Sequence, residues 1–464
     1  MNRPLRWVAQ QLGIVLESDA QVTGWSVDSR TIRAGELFFA LRGPRNDGHE
    51  YVAEVLAKGA AGVVVDRDIA AGGPVLRVDD SLVALQHLAS AARREWGGDV
   101  VAVTGSAGKT TVKEAIAAML SEGISGGMSG RMTVTKAAGN LNNHVGLPLS
   151  LLRAEEDAKI AVLEMGMNHT GEIRDLTAIA RPQVGVVTNV GWAHIENFGS
   201  IDGIAAAKRE LVESLGTSGT AVLNADDERV REFARVHPGR SVLYGQSANA
   251  DVRAERVEYL AEGVKFSVDG VNFESPLNGR HGVSNLLAGI AVAGLYGIPP
   301  AKLTTAAARI EPQKMRGERF HSGGVLVYDD CYNSNPDAAR AMLEVLRDSP
   351  AQRRIAVLGE MLELGHWAEP LHRDVGDYAV KCGVNVLVGI RGASCYTLDA
   401  AKRSGLRGDA AFFFETPTEA GQLVGRLARS GDAILFKGSR GVHVEEALAA
   451  FVSSQASPQK GGAA

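Results

Sequence analysis

The 464-residue sequence has few cysteines, few aromatic residues and no excess of basic charge. Its three cysteines, Cys331, Cys382 and Cys395, have neither paired nor metal-like spacing, which excludes a disulfide framework and indicates an intracellular protein. Charged residues make up 22% of the chain and the formal net charge is −5, with lysines and arginines spread rather than grouped. A nucleic-acid partner is therefore not expected.

Long hydrophobic runs are also missing. No run approaches the ~18 apolar residues of a membrane span, and the N-terminal MNRPLRWVAQQLG lacks the apolar stretch of a signal peptide. We expect a cytoplasmic protein without membrane insertion. Residues 454–464 are mostly small and polar, a composition that predicts a disordered tail.

The chain is long enough for two or three domains, each with its own core. Residues 1–97 mix short β-like runs with helical patterns and predict a small α/β domain. Residues 98–312 alternate aliphatic strands with helices, which is typical of a parallel sheet covered on both faces. The alternation restarts over 313–453 and predicts a Rossmann-like domain. The predicted fold class is therefore α/β, with three domains.

A glycine-rich turn, VTGSAGKTT, stands where an aliphatic strand ends and an amphipathic helix begins. Such a turn can point backbone N–H groups at an anion, its lysine can approach the β- and γ-phosphates, and a threonine can offer a hydroxyl to Mg²⁺. Val103 replaces the first glycine of the usual fingerprint, which leaves the shorter GxxGKT form. We favour an NTP site over a plain glycine turn with an exposed lysine. The predicted nucleotide-binding residues are Gly105, Ser106, Ala107, Gly108, Lys109, Thr110 and Thr111.

Polar residues also follow the neighbouring predicted strands. Glu164 ends the strand IAVLEMG, and His194 lies in the segment after VGVVTNV. Because parallel strands end at one edge of a sheet, both should lie near the glycine turn. Mg²⁺ prefers oxygen ligands, so Glu164 and the Thr110 hydroxyl are natural candidates, whereas a lone loop histidine is more often only a hydrogen-bonding residue. Lys208, on the following helix, would by itself be a solvated lysine.

Together these motifs resemble the Mur ligase family over nearly the whole chain. The family pattern combines a GxxGKT/S loop, a strand-end glutamate at 163–166, a TNVGxAHxxxFGS segment at 188–200 and an AKxE helix at 207–210, in that order. The resemblance implies that Lys208 is carbamylated, which would replace a cation beside bound metal by an anion. It implies Lys109, Glu164, His194 and Lys208 as catalytic residues, and Thr110, Glu164, His194 and Lys208 as ligands of Mg²⁺.

The resemblance also implies contacts to ATP from the segments GRHGVSN, MRGER and DDCYNSNP. In the second of these, Met315 replaces a glycine that commonly precedes the arginine. The third also contains Tyr332 and Asn335, although NSNP is by itself a good turn and helix start. The implied nucleotide-binding residues are His281, Asn285, Arg316, Asp330 and Asn333.

Substrate contacts are implied in all three predicted domains, although polar turns and asparagine-rich loops are common without any ligand. The implied residues are Ser29, Arg30, Asn46, Asp47 and His49 for a uridine diphosphate, Asn140, Asn142 and Asn143 for a muramoyl peptide, and Lys437, Ser439 and Arg440 in the cleft of the C-terminal domain.

The implied reaction is amide-bond formation, in which ATP phosphorylates a carboxylate to an acyl phosphate that an amine then attacks. The motifs are most similar to family members that join D-alanyl-D-alanine to a UDP-N-acetylmuramoyl tripeptide in peptidoglycan precursor synthesis, with ATP and Mg²⁺ as cofactors. The alternative within the family adds a single amino acid as the third residue, but the DNPR tetrapeptide of diaminopimelate-adding members is absent. Outside the family, the alternatives are a P-loop kinase or regulatory NTPase, and a binding protein without hydrolysis. We expect a monomer.

Overall fold

The computed structural model describes residues 1–16, 18–44, 46–125, 133–137, 139 and 141–456. Within this part of the chain the thiols of Cys331, Cys382 and Cys395 are free. No helix among the described residues is long and apolar enough to span a bilayer. The sheets fall into three successive regions of the chain.

The N-terminal region contains a small parallel sheet. Its strands alternate their side chains between two cores: Leu37 and Phe39 pack in one, and Phe38 packs in the other. The elements are β1 (Arg3–Pro4), α1 (Leu5–Gln11), β2 (Gln21–Val22), β3 (Gly24–Ser26), β4 (Glu36–Phe39), α2 (Val52–Ala57), β5 (Gly62–Val65), β6 (Val75–Arg77) and α3 (Ser81–Trp96). Strands β3, β4, β5 and β6 pair in parallel in that order, and β1 pairs antiparallel with β2.

Helix α3 connects this region to the next. Asp80 caps its N-terminus by accepting the N–H groups of Leu82 and Val83, and Gly97 ends it in the left-handed conformation with φ 69°.

The central region is built on a seven-stranded parallel sheet with the order β13-β12-β11-β10-β7-β9-β8. Its strand elements are β7 (Asp99–Thr104), β8 (Thr133–Lys136), β9 (Ala158–Glu164), β10 (Val184–Val187), β11 (Thr220–Asn224), β12 (Arg240–Gly245) and β13 (Val252–Arg253). Its helices are α4 (Lys109–Ser125), α5 (Gly146–Leu152), α6 (Glu172–Ala180), α7 (Ile201–Glu213), α8 (Glu228–Glu232), α9 (Gly279–Leu295) and α10 (Thr304–Arg309).

Both faces of this sheet are covered, as its continuous aliphatic strands predict. In β7, Val100 and Ala102 pack in the core that contains α3, α5, α6 and α7, while Val101 and Val103 pack in the core that contains α4 and α9. A three-stranded antiparallel sheet adds to the second core; it consists of β14 (Glu255–Leu260), β15 (Gly263–Val268) and β16 (Val271–Ser275).

The C-terminal region has a six-stranded sheet with the order β17-β18-β22-β19-β20-β21, parallel except for the edge strand β17. Its strands are β17 (Glu318–Ser322), β18 (Val325–Asp330), β19 (Arg353–Gly359), β20 (Val386–Ile390), β21 (Ala411–Phe414) and β22 (Asp432–Lys437). Its helices are α11 (Pro336–Asp348), α12 (Ala368–Lys381), α13 (Ser394–Arg403), α14 (Pro417–Leu427) and α15 (Val444–Ala456).

Helix α15 corrects one predicted boundary. Composition predicted a disordered tail from residue 454, yet the helix continues to Ala456. It does so because Phe451 packs on Phe436, with ring centroids 5.7 Å apart, and because Gln455 Nε2 donates to the carbonyl of Gly425. Residues 457–464 lie outside the described part of the chain.

Candidate active site

The glycine turn joins β7 to α4 and depends on close packing. Gly105 and Gly108 have φ of 153° and 83°. A Cβ atom at position 105 would lie 1.8 Å from Thr188 Oγ1, and one at position 108 would lie 2.7 Å from Asn285 Oδ1. Both glycines are therefore needed for the turn to lie between α9 and the loop that follows β10.

That loop holds the glycine turn from the side. The N–H of Ala107 donates to Asn189 Oδ1 at 2.9 Å, and the N–H of Ser106 donates to the Asn189 carbonyl at 3.1 Å. Thr188 Oγ1 donates to the Ala107 carbonyl at 2.6 Å. Residues 188 and 189 were part of the motif read from the sequence but had no assigned role. Because β7 and β10 are neighbours whose connections leave in opposite directions, the turn lies at a switch point of the sheet, where ligands bind in open α/β folds.

Lys109 is the first residue of α4, and its side chain folds back over the turn. Its Nζ donates to the Gly105 carbonyl at 2.7 Å. Burial lowers the pKa of Lys109 and Arg316 lowers it further, while the charge of Glu164 opposes this effect. The two residues predicted to act on phosphate and metal, Lys109 and Glu164, are therefore close enough to influence one another, and Arg316 approaches the same place.

Glu164 ends β9 beside the turn, and its side chain is 1% exposed. Lys113 Nζ lies 3.4 Å from its Oε1. Neither carboxylate oxygen has a hydrogen-bond partner among the described residues. A buried carboxylate with unsatisfied oxygens fits a hard divalent cation, and the buried Thr110 adds a hydroxyl from the first turn of α4. Within the described part of the chain no three His, Cys, Asp or Glu side chains cluster as a metal site.

His194 lies in the loop after β10, and its partner comes from the C-terminal region. Its Nδ1 is 2.5 Å from Glu363 Oε2. The same loop makes further contacts with that region: the Trp192 N–H donates to Asp337 Oδ2 at 2.8 Å, the Glu196 N–H donates to the Glu363 carbonyl at 3.2 Å, and the rings of Trp192 and Trp367 lie 5.1 Å apart. One loop thus contacts both the glycine turn and the C-terminal region. The sequence analysis did not identify Glu363 and Asp337 as partners of this loop, because no local sequence pattern links residues so far apart in the chain.

Lys208 lies on α7 and is buried, contrary to the expectation for a lysine taken alone. Burial lowers the pKa of Lys208 well below its ordinary value, and the nearby charge of Lys109 lowers it further. An amine in this setting favours its neutral form. The glutamate of the same AKxE motif, Glu210, has a structural role, since it accepts the N–H groups of Gly171 and Arg174 at the start of α6.

The other residues implied to contact ATP include some from α9 and Arg316 from the segment before β17. Asn285 packs against Gly108, as described above. The Arg316 guanidinium lies 3.8 Å from the centroid of the Tyr332 ring, which is a cation–π contact. Met315, where a glycine is common, adopts φ 62° and accepts the Tyr332 N–H at 3.0 Å. Burial lowers the pKa of His281, and Asp330 and Lys437 are among the charges that act on it.

The predicted residues at the strand ends of the C-terminal sheet bind one another. Asp330 and Lys437 are paired in the register of β18 and β22, and Lys437 Nζ donates to Asp330 and to the Asn333 carbonyl. Ser439 Oγ donates to the Ser334 carbonyl and accepts the Leu362 N–H. In this arrangement the side chains of Lys437 and Ser439 are held by hydrogen bonds to the ends of neighbouring elements of the C-terminal region.

The N-terminal candidates are mostly held by local contacts. Arg30 is exposed and donates through Nε and Nη2 to Asp28. Asp47 caps the turn Gly48–Tyr51 and contacts His49, whose other ring nitrogen accepts the N–H of Asp66. The Asn46 carbonyl accepts the Gly43 N–H, and the Ser29 carbonyl accepts from Lys58 Nζ.

The asparagine-rich segment lies beside Glu164. The Asn142 carbonyl accepts the Gly166 N–H at 2.7 Å, and its side chain packs on that glycine. Asn143 Oδ1 accepts the N–H groups of Val145 and Gly146 at the start of α5. Asn140 lies outside the described residues.

The fold and this site define a class: a multidomain α/β protein with a glycine turn at the switch point of its central sheet, the place where open α/β folds bind their ligands. Three family models match the chain, namely the Mur ligase family catalytic domain over residues 21–93, the Mur ligase middle domain over 103–293 and the Mur ligase glutamate ligase domain over 315–440. The UDP-N-acetylmuramoyl-tripeptide–D-alanyl-D-alanine ligase of Bacillus subtilis is 32% identical over 93% of this chain and 94% of the relative. The ligase of that name from Escherichia coli is 33% identical over 94% of each.

Solved structures agree with these matches. A crystal structure of MurF from Acinetobacter baumannii superposes with a TM-score of 0.88 and 28% identity, covering 98% of this chain and 99% of the other. MurF from Thermotoga maritima, solved in complex with ADP, has a TM-score of 0.81 and 26% identity over 93% of this chain and 97% of the other. The chain belongs to the Mur ligase family, so the resemblance read from its motifs and the predicted α/β class are confirmed.

Proposed function

We propose that this chain is an ATP-dependent ligase that joins D-alanyl-D-alanine to a UDP-N-acetylmuramoyl tripeptide, a step of peptidoglycan precursor synthesis. Its relatives from Bacillus subtilis and Escherichia coli carry the name of this activity. The observation that carries the proposal is the juxtaposition of the glycine turn and its Lys109 with the buried carboxylate of Glu164 at the switch point of the central sheet.

The chemistry of such a ligase is mostly positioning and charge neutralisation. Lys109 and Arg316 are placed to offset charge on the phosphates of ATP while the substrate carboxylate is converted into an acyl phosphate. Mg²⁺ would be held by Thr110, Glu164, His194 and a carbamylated Lys208, and when bound it would neutralise charge on the transferred phosphoryl group. Glu164 and Lys208 are both buried, and closure of the site over its substrates would keep water away from the acyl phosphate.

Each of the three domains has its own proposed role. Residues 1–97 would bind the uridine diphosphate, 98–312 would bind the ATP, and 313–453 would form the C-terminal ligase domain that closes over the nucleotide. His281, Asn285, Asp330 and Asn333 are proposed for the nucleotide. Ser29, Arg30, Asn46, Asp47, His49, Asn140, Asn142, Asn143, Lys437 and Ser439 are proposed for the other substrates. A monomer in the cytoplasm remains the expected state.

Phosphate release by the purified protein tests this function. The assay supplies ATP, Mg²⁺ and UDP-N-acetylmuramoyl tripeptide, with either D-alanyl-D-alanine or single amino acids as the amine. We expect release only when nucleotide, tripeptide and D-alanyl-D-alanine are all present, and none from Lys109→Met. Turnover with single amino acids alone would assign the chain to a different member of the family. ATP hydrolysis that ignores the tripeptide would favour a kinase or regulatory NTPase.

A further inference from the structure

Lys113 is a buried lysine that the glycine-turn motif does not include. It lies on α4 four residues after Lys109, and its side chain is 0% exposed. Lysine is almost never fully buried unless it is paired, because its ammonium loses hydration in the interior. The contacts of this side chain must therefore account for its position.

The ammonium of Lys113 joins different parts of the site. It donates to the carbonyl oxygens of Ala137 at 2.8 Å and Gly139 at 3.0 Å. It also lies 3.4 Å from Glu164 Oε1 and 3.3 Å from Glu114 Oε1. The lysine thereby connects the helix of the glycine turn, the carboxylate at the end of β9 and the chain that follows β8.

Asn142 comes five residues after Ala137 in the chain and contacts Gly166, just beyond the end of β9. The Asn142 carbonyl accepts the N–H of Gly166, two residues after Glu164, and a Cβ atom on Gly166 would meet Asn142 Oδ1 at 2.9 Å. Lys113 thus contacts Ala137 and Gly139 as well as the carboxylate, and Asn142 contacts Gly166, two residues after that carboxylate. A well-packed apolar side chain at position 113 would avoid burying an ammonium, so stability alone does not explain the lysine.

We infer that Lys113 is a positioning residue for the acceptor peptide: it holds the chain leading to Asn142 at a fixed place beside Glu164 and the glycine turn. This inference rests on the proposed function, in which Asn142 meets the muramoyl peptide. Loss of the ammonium should release the carbonyls of Ala137 and Gly139 and misplace the peptide, while the turn that binds ATP keeps its own contacts to Thr188 and Asn189. The effect should therefore fall on one substrate.

The test compares Lys113→Met and the milder Lys113→Gln with Lys136→Met. Lys136 is a matched control. It is a surface lysine that pairs with the same Glu114, and among the described residues it forms no ion pair with Glu164. For the Lys113 variants we expect the KM for UDP-N-acetylmuramoyl tripeptide to rise about tenfold or more, because a small misplacement of a positioning segment can cost up to about a hundredfold. The KM for ATP, the KM for D-alanyl-D-alanine and the binding of a fluorescent ADP with Mg²⁺ should stay close to the wild-type values. Lys136→Met should match the wild type throughout.

Two results would overturn the role of Lys113 while leaving the proposed function intact. One is an unchanged KM for the tripeptide in a folded Lys113→Gln protein, and the other is an equal rise in KM for all three substrates. A wild-type protein that neither binds nor turns over the tripeptide would instead overturn the proposed function, and this inference with it.

Discussion

The imidazole of His194 and the carboxylate of Glu363 lie 2.5 Å apart, and both residues hold positive φ angles, 59° and 63°. The contact joins the loop after β10 to the C-terminal region, because Glu363 follows β19. A carboxylate at Nδ1 favours a proton there and leaves the Nε2 lone pair free. This is how a metal-binding histidine is commonly oriented, by a carboxylate on its other nitrogen. His194 would thus be correctly oriented for Mg²⁺ only while the C-terminal region is docked.

Removing the charge of Glu363 should weaken metal binding rather than folding. In Glu363→Gln, we expect the Mg²⁺ concentration that supports half-maximal binding of fluorescent ADP to rise about tenfold. Glu369→Gln is the control, because Glu369 pairs with Arg373 on the surface of the same region. If Glu363→Gln keeps the Mg²⁺ dependence of the wild type, the carboxylate does not orient the histidine.

Replacing a glycine by alanine should have opposite effects at two positions of the central region, Gly108 and Gly294, because the space around each glycine differs. Gly108→Ala would strain a backbone with φ 83° and bring a Cβ atom within 2.7 Å of Asn285 Oδ1. The left-handed conformation alone costs about 1–3 kcal/mol. We expect ATP binding to be lost, and Gly108→Ala combined with Asn285→Ala to recover only part of it.

Gly294 lies within α9, and a Cβ atom there would meet nothing within 4 Å. Gly294→Ala should therefore raise the free energy of unfolding by about 0.5–1 kcal/mol and leave nucleotide binding unchanged. Denaturant titration and fluorescent ADP binding measure the two quantities. Equal ADP affinity in Gly108→Ala and Gly294→Ala would contradict the steric argument for the glycine turn.

The glycine turn between β7 and α4 was predictable because its signal is local: glycines, a lysine and threonines between a strand and a helix. Residues whose roles depend on partners far away in the chain could not be predicted in this way. His194 could be selected from a motif, but Glu363 could not, since no local pattern links them. Lys113 could have been suspected, because it lies one helical turn after Lys109 and so on the same side of α4. Asn143, which the resemblance implied as a substrate contact, also accepts the N–H groups of Val145 and Gly146 at the start of α5.

Acidic pH should lower the stability of the folded protein, and we expect His372, which packs beside the segment that carries Glu363, to be one of the groups responsible. Its Nε2 accepts the Met361 N–H at 3.0 Å and its Nδ1 lies 2.7 Å from the Ala368 carbonyl, so the folded protein needs the neutral ring. Burial lowers the pKa of His372, while the unfolded imidazole titrates near ~6.5. Below that pH the unfolded state binds more protons, so stability is complete above it and declines as the pH falls.

We therefore expect the thermal midpoint to fall as the pH is lowered from about 7 to about 5.5, through the pKa of the unfolded imidazole. The fall should be smaller in His372→Gln, which has no titrating ring at this position. His366→Gln, an exposed residue of the same segment, should follow the wild type. An identical pH profile for all three proteins would remove His372 from the explanation.

Lys208 and Lys437 are both buried lysines, and the charges around them predict different chemistry. Lys437 Nζ donates to the carboxylate of Asp330 and to the Asn333 carbonyl, whereas burial and the charge of Lys109 lower the pKa of Lys208. Only a neutral amine can attack CO₂, so we expect the carbamate on Lys208, and Lys437, whose Nζ is held by two acceptors, serves as the comparison. With ¹³C-labelled bicarbonate, NMR of the wild type should show a carbamate carbon that persists in Lys437→Met and disappears in Lys208→Met. A carbamate signal that survives Lys208→Met would place the modification on another lysine, and Lys208 would lose its proposed role as a ligand of the metal.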